Sequence, residues 1–258
     1  MADHENGATN TSLEQAAKEI SRARQCIALT GAGISVDSGI PPFRGAGGVW
    51  EKVNPMEFGH IDFFMRDPKT VWEVLLKDLK ITIGQAEPND GHKGLAELER
   101  LGYLDTIITQ NVDGLHQAAG STDVIEFHGT CAWMLCLDCG NRIKTGNVSL
   151  ETLPPTCACG GILRPDWIFF GESIPSYALE RSTMLAGRCD MILVVGTSAI
   201  VHPAASIPMI AKQRGARVIE INPERTPLTE NRVSDYLLQG KAGDILNRLL
   251  AVLRPDAG

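Results

Sequence analysis

No stretch of this chain approaches the roughly 20 consecutive apolar residues that a bilayer-spanning helix requires. A membrane partner is therefore not expected. Met1 to Asn10 are polar and slightly acidic, without the charged-then-apolar pattern of an export signal. Basic residues are short as well, 24 Lys and Arg against 31 Asp and Glu, for a formal charge of -7. A phosphate backbone requires clustered cations, so direct nucleic-acid binding is not expected, whereas a lysine-rich protein tail would be drawn to this surface. Cysteine is present but uneven: seven residues, an odd number, four of them clustered. Without an export signal this points to a reducing, cytoplasmic setting and to a metal rather than disulfides. Internal repeats and low-complexity tracts are absent. One glycine is missing too. Cys26-Ile27-Ala28-Leu29 reads as a buried strand running into Thr30-Gly31-Ala32-Gly33, but Val36 stands where a dinucleotide fingerprint has its third glycine.

At 258 residues and 43% hydrophobic, the chain can bury one large core and carry a small appendage. Ser12 and Gln15 form a capping box, and Leu13, Ala17, Ile20 and Arg24 follow at helical spacing. The pattern predicts further helices over 70–79, 90–101 (capped by Asp90 and stopped by Gly102), 177–186, 203–212 and 242–253. Strands are predicted at 26–29, 104–109, 124–127, 191–195 and 217–221, too apolar to face water. Helices and strands alternate, so the expected architecture is α/β, a doubly wound, Rossmann-like parallel sheet. Two stretches interrupt it. Residues 46–69 mix Gly and Pro with aromatics without a period and read as a flexible, cofactor-binding loop, and 131–163, rich in Cys, Gly and Pro, reads as a small inserted zinc-binding domain. The main domain would then comprise 12–45, 70–130 and 164–254.

Ligands of such a sheet sit at the carboxyl ends of its strands. The first strand ends in Gly31-Ala32-Gly33, where exposed N–H groups could meet a diphosphate, and the second in Gln110-Asn111-Val112-Asp113-Gly114-Leu115-His116. His128-Gly129-Thr130 follows the third, Gly196-Thr197-Ser198 the fourth, and Asn222 the fifth, placed to hydrogen-bond a ribose hydroxyl. Cys136-x-x-Cys139 and Cys157-x-Cys159 offer four thiolates, the usual closed set for structural Zn2+. Cys26, Cys131 and Cys189 are left over as small core residues.

The string Gly31-Ala32-Gly33-Ile34-Ser35-Val36-Asp37-Ser38-Gly39-Ile40-Pro41-Pro42-Phe43-Arg44 resembles the first signature of the sirtuins of bacterial or archaeal type, NAD-dependent protein lysine deacylases. Thr109-Gln110-Asn111-Val112-Asp113-Gly114-Leu115-His116 resembles their second, and His128-Gly129-Thr130 their catalytic histidine segment. The resemblance implies NAD as cofactor, held by Gly31, Ala32, Gly33, Ser35, Ile40, Phe43, Arg44, Gln110, Asn111, Asp113, Gly196, Thr197, Ser198, Asn222 and Ala242. It makes His128 the general base and gives Asn111 and Asp113 the nicotinamide ribose and amide. An acylated-lysine protein or peptide is the implied partner, taken up by Ile168, Phe170, Gly171 and Glu172 in a segment where Trp167 replaces the usual aliphatic residue; in the metal motif before it, the spacing of Cys157 and Cys159 is one residue shorter than usual in the family. Branches that remove acidic acyl groups carry a Tyr and an Arg after the Phe-Arg loop. The segment Glu51 to Arg66 has no tyrosine, so Met56, Phe58, Ile61, Phe63, Phe64 and Met65 are expected to line or cover a neutral acyl pocket. Two other readings use the same residues: NAD-dependent transfer of ADP-ribose to a protein, and a zinc-stabilised NAD-binding module without catalysis.

Overall fold

The computed structural model describes residues 12–43 and 47–254. Its strands, in chain order, are β1 (Cys26–Thr30), β2 (Thr106–Thr109), β3 (Val124–Glu126), β4 (Gly129–Cys136), β5 (Arg142–Lys144), β6 (Leu163–Trp167), β7 (Met191–Val195), β8 (Arg217–Asn222) and β9 (Tyr236–Gln239). Six of them form one sheet in the order β3-β2-β1-β7-β8-β9, all parallel. Every residue of β1, β2 and β7 is buried, which is why these segments are apolar throughout rather than alternating. Helices cover both faces. On one side, residues 12–20, Asp90–Arg100 and Ala242–Leu253 pack on Ala28, Ile107, Leu193 and Ile219; on the other, Ser176–Arg188 and Ser206–Gln213 pack on Ile27, Ile108, Ile192 and Val218. The doubly wound α/β sheet is the expected fold.

The chain builds the sheet outward from β1, first through β2 and β3 on one side, then through β7, β8 and β9 on the other. That reversal leaves a crevice at the carboxyl ends of β1 and β7, where open α/β sheets bind ligands. A second, antiparallel sheet runs β5-β4-β6. Its core, built on Met134, Cys136, Cys157 and Leu163, also takes Phe64, Val71, Trp72, Leu75, Leu76 and Leu79. Trp72 Nε1 donates to the Leu163 carbonyl at 3.0 Å, which fastens these helical residues to β6.

Several local expectations change. The helix predicted over 70–79 begins at Pro68 and ends at Gln85, with a π-helical turn at Trp72–Leu76, because Asp67 caps it through Thr70. Its buried residues 71–79 sit in the smaller core, not against the large sheet. Asn89, not Asp90, caps the next helix: its side chain accepts from Gly91 N–H while His92 Nδ1 accepts from Asn89 N–H. The helix predicted from Pro203 starts at Ser206, since 202–205 turn first. Val49–Lys52, Pro55–Phe58 and Ile61–Arg66 are short helices inside the stretch without a period, and β9 was not anticipated. No helix among the described residues is long and apolar enough to cross a membrane.

Candidate active site

The loops leaving β1 and β7 interlock. Gly31 N–H donates to the Val195 carbonyl at 3.1 Å and Gly33 N–H to the Gly196 carbonyl at 2.8 Å. A Cβ on Gly33 would lie 2.7 Å from that carbonyl oxygen, and one on Gly31 2.7 Å from Thr197 Cβ. These glycines are required by the approach of the chain to itself, and their amides are occupied. The expectation that both N–H groups stand free for a diphosphate is corrected. Beyond this seam opens a cavity of about 1070 Å³ lined by Gly31, Ala32, Gly33, Phe43, Gln110, Asn111, His128, Gly196, Thr197, Ser198, Asn222 and Ala242. Ala242 and Gly243 open the helix that ends at Leu253, so first-turn amides without intrahelical acceptors face the same space.

Behind the cavity wall lies a buried polar network. Asn89 N–H donates to His92 Nδ1, so the neutral His92 ring carries its proton on Nε2, which reaches Ser35 Oγ at 3.3 Å. Ser35 Oγ also accepts from Asn111 Nδ2 at 3.0 Å and donates to Asp113 Oδ2 at 2.7 Å. Its two lone pairs and one proton are all in use. Asp113 Oδ1 accepts from Leu115 N–H, so both carboxylate oxygens are held within the protein and Asp113 is not among the cavity-lining residues. Burial drives the pKa of His92 down to about 4 and that of His116 to about 3, where His116 Nε2 meets Thr30 Oγ1 at 2.9 Å. Both rings are neutral at ordinary pH. Thr30, His92 and His116 were not read as site residues; the capping-box position of His92 was the available signal for one of them.

Asn111 donates its two amide hydrogens to Ser35 and to the Gly31 carbonyl, which leaves Oδ1 for a ligand. Gln110 Nε2 likewise donates to Thr197 Oγ1 and to the Thr30 carbonyl. Asn222 donates to the Thr197 carbonyl at 3.0 Å and accepts from Glu224 N–H, so it joins two strand-end loops while lining the cavity. His128 Nδ1 lies 3.0 Å from the Gln110 carbonyl oxygen. A carbonyl only accepts, so Nδ1 holds the proton and Nε2 of the neutral ring is free to take one. Burial also pulls the His128 pKa below its usual value, although the contact with Gln110 works the other way.

The segment after β6 forms the opposite wall. Ile168, Phe169, Phe170, Gly171 and Glu172 all line the cavity. Phe170 N–H donates to the Gly59 carbonyl and its own carbonyl accepts from Ile61 N–H, so its backbone is already paired. Glu172, expected to meet substrate, has both oxygens on the buried Arg164 guanidinium at 2.6 and 2.7 Å, and Oε2 also accepts from Phe169 N–H. It is a clamp for the segment rather than a free carboxylate.

The acyl-pocket expectation is also corrected. Among the described residues of 51–66, only Gly59 lines the cavity, and Phe58, Phe63 and Phe64 pack into the smaller core. Leu75, Leu76, Leu79 and Ile83, from the helical run 68–85, line it instead. The side chains of Lys52 and Met56 lie outside the described set, as does all of Arg44. Ser35 and Ile40 are buried and are not among the lining residues.

The thiols of Cys136, Cys139, Cys157 and Cys159 all lie within 4.8 Å of one another, with Sγ–Sγ distances of 3.6 and 3.8 Å for the pairs 136–159 and 139–157. Sulfurs around a tetrahedral zinc at about 2.3 Å stand about 3.8 Å apart, so the set fits the metal despite the short second spacing. Gly161 makes the tight turn possible: a Cβ there would meet Cys136 Sγ at 2.7 Å. Of the remaining cysteines, Cys26 and Cys189 are buried as expected, whereas Cys131 is only half-buried.

A sequence model of the Sir2 family matches residues 31–203. NAD-dependent protein deacylase 1 of Archaeoglobus fulgidus is 44% identical over 242 residues, which are 93% of this chain and 98% of that one. A solved structure described as a Sir2 homolog–NAD complex superposes with a TM-score of 0.85 at 44% identity, covering 93% of both chains. A second, a Sir2–p53 peptide–NAD+ complex, gives 0.83 at 33% identity, covering 91% of this chain and 95% of that one. Likeness of this extent, in sequence and in fold together, has one explanation: the chain belongs to the Sir2 family.

Proposed function

We propose that this chain removes acyl groups from protein lysine side chains in a reaction that consumes NAD and one water and yields nicotinamide, free lysine and O-acyl-ADP-ribose. NAD, when bound, supplies the ADP-ribosyl group that receives the acyl group and the nicotinamide that leaves. His128 is the observation that carries the reading. Its Nδ1 proton is held by the Gln110 carbonyl, and Nε2 takes a proton from the sugar hydroxyl presented to it at the cavity wall. Asn111 offers Oδ1 to the ligand and is itself fixed by Ser35, which Asp113 and His92 orient in turn. Asp113 thus acts as a positioning residue. Gln110, Asn222 and Ala242 serve the ribose and phosphate end, with Arg44 assigned there on the resemblance of its loop.

An extended acyl-lysine peptide runs along Ile168 and Gly171, which line the cavity; that the partner is a peptide is supported by the p53 peptide held by the relative described above. Its acyl group enters the end lined by Leu75, Leu76, Leu79 and Ile83, so neutral groups are preferred. Zinc, when bound by the four cysteines, leaves no position for water and acts as a crosslink under the smaller core. Cysteines that form no disulfide among the described residues suit a reducing cytoplasm.

Substituting His128→Ala tests the assignment. Loss of a general base costs about 10² to 10⁴ in rate, so deacetylation should fall by that factor with melting unchanged. Turnover within a few-fold of wild type would overturn the role given to His128.

A further inference from the structure

Glu220 is fully buried in β8, and among the described residues no cation pairs with it. Its neighbours in the strand, Ile219 and Ile221, point into the apolar core on the other face. A carboxylate in such a place must be satisfied by hydrogen bonds, and three hydroxyls supply them. Thr226 Oγ1 donates to Oε1 at 2.5 Å, while Thr229 Oγ1 and Ser234 Oγ donate to Oε2 at 2.5 and 2.8 Å. All three belong to the connection between β8 and β9. The start of that connection, from Asn222 to Pro227, lines the cavity wall. Thr226 does double duty, since its Oγ1 also accepts from Leu228 N–H and caps the short helix Pro227–Glu230.

We propose that Glu220 is a positioning residue for NAD: by gathering three hydroxyls from the 223–235 connection it fixes the cavity wall formed by residues 222–227. This rests on reading the cavity as the NAD site. The strand supplies a rigid anchor, and the connection, which has little regular structure, takes its shape from that anchor. Glu220 touches no ligand itself, so its loss acts on cofactor affinity rather than on the chemistry at His128.

The test compares wild type with Glu220→Gln, which puts an amide donor where a hydroxyl donates, and with Thr229→Val and Ser234→Ala, which each remove one donor. ADP-ribose binding is measured by calorimetry, and KM for NAD, KM for acetyl-peptide and kcat are measured at steady state. Glu220→Gln should raise KM for NAD and the ADP-ribose Kd by about tenfold and the single-hydroxyl variants by about threefold, with kcat and peptide KM within about twofold. If Glu220→Gln does not fold, the two hydroxyl variants decide by the same split. Variants that melt lower yet bind ADP-ribose as wild type does, or that lose kcat with KM for NAD unchanged, overturn the proposal. Failure of the wild type to bind ADP-ribose overturns the reading of the cavity, and the proposal with it.

Discussion

His128 and Ser35 show how a side chain acquires a role from its partners. The Gln110 carbonyl decides which nitrogen of His128 is basic, and burial lowers its pKa, so the neutral form persists to more acid pH than for an ordinary imidazole. The base role proposed for His128 requires that neutral form. The acid limb of kcat/KM for acetyl-peptide should therefore fall below about pH 6.5, and a limb at about pH 7 or above would contradict the assignment. The polar residues at strand ends, Gln110, Asn111 and His128, were legible in the sequence because a buried strand places side chains at a crevice where it surfaces. Ser35 bonding His92 was not, since the two are 57 positions apart and come together only when the turn after β1 meets the helix Asp90–Arg100. Gly31 and Gly33 were read correctly as necessary and wrongly as free. Only the folded chain shows that Val195 and Gly196 take their amides.

At the level of elements, the helical run 68–85 was visible as helix, but which face it turns to the cavity was not. Spacing alone makes Leu75, Leu79 and Ile83 a row, and the packing of Trp72 under Leu163 aims it. The aromatic segment 51–66 looked equally suitable and is placed elsewhere, with Phe64 buried against Phe169. The row has a consequence for the substrate. Burying a carboxylate beside leucines without a paired cation costs several kcal/mol, while an extra methylene returns only about 0.8 kcal/mol. Acetyl-lysine and propionyl-lysine peptides should exceed the succinyl-lysine version in kcat/KM by more than about tenfold, since 1.4 kcal/mol is about that factor. Equal values would remove the argument. β9 went unseen because Tyr236–Gln239 is short and at the sheet edge, where pairing with β8 supplies what its sequence does not advertise.

At the scale of the whole molecule, the described residues form three apolar clusters, one on each face of the large sheet and one beside the smaller sheet, and the last of these connects the four-cysteine set to the cavity. Cys136 and Cys157 belong to the same apolar cluster as Trp72, Leu75 and Leu79, and the two leucines also line the cavity. Elemental analysis should find one zinc per chain, and a strong chelator should lower the melting temperature and the deacylation rate together. Zinc-free protein with full activity would contradict this. The spacing of the four cysteines was readable in advance, whereas the shared core was not, because it assembles residues as distant in the chain as Trp72 and Cys157. The central claim concerns the fate of the acyl group, and the products of one reaction test it most directly. Wild-type protein, NAD and an acetyl-lysine peptide should yield deacetylated peptide, nicotinamide and acetyl-ADP-ribose in equal amounts by mass spectrometry. ADP-ribose attached to the protein or peptide with the acetyl group still on lysine, or NAD bound without turnover, would contradict it.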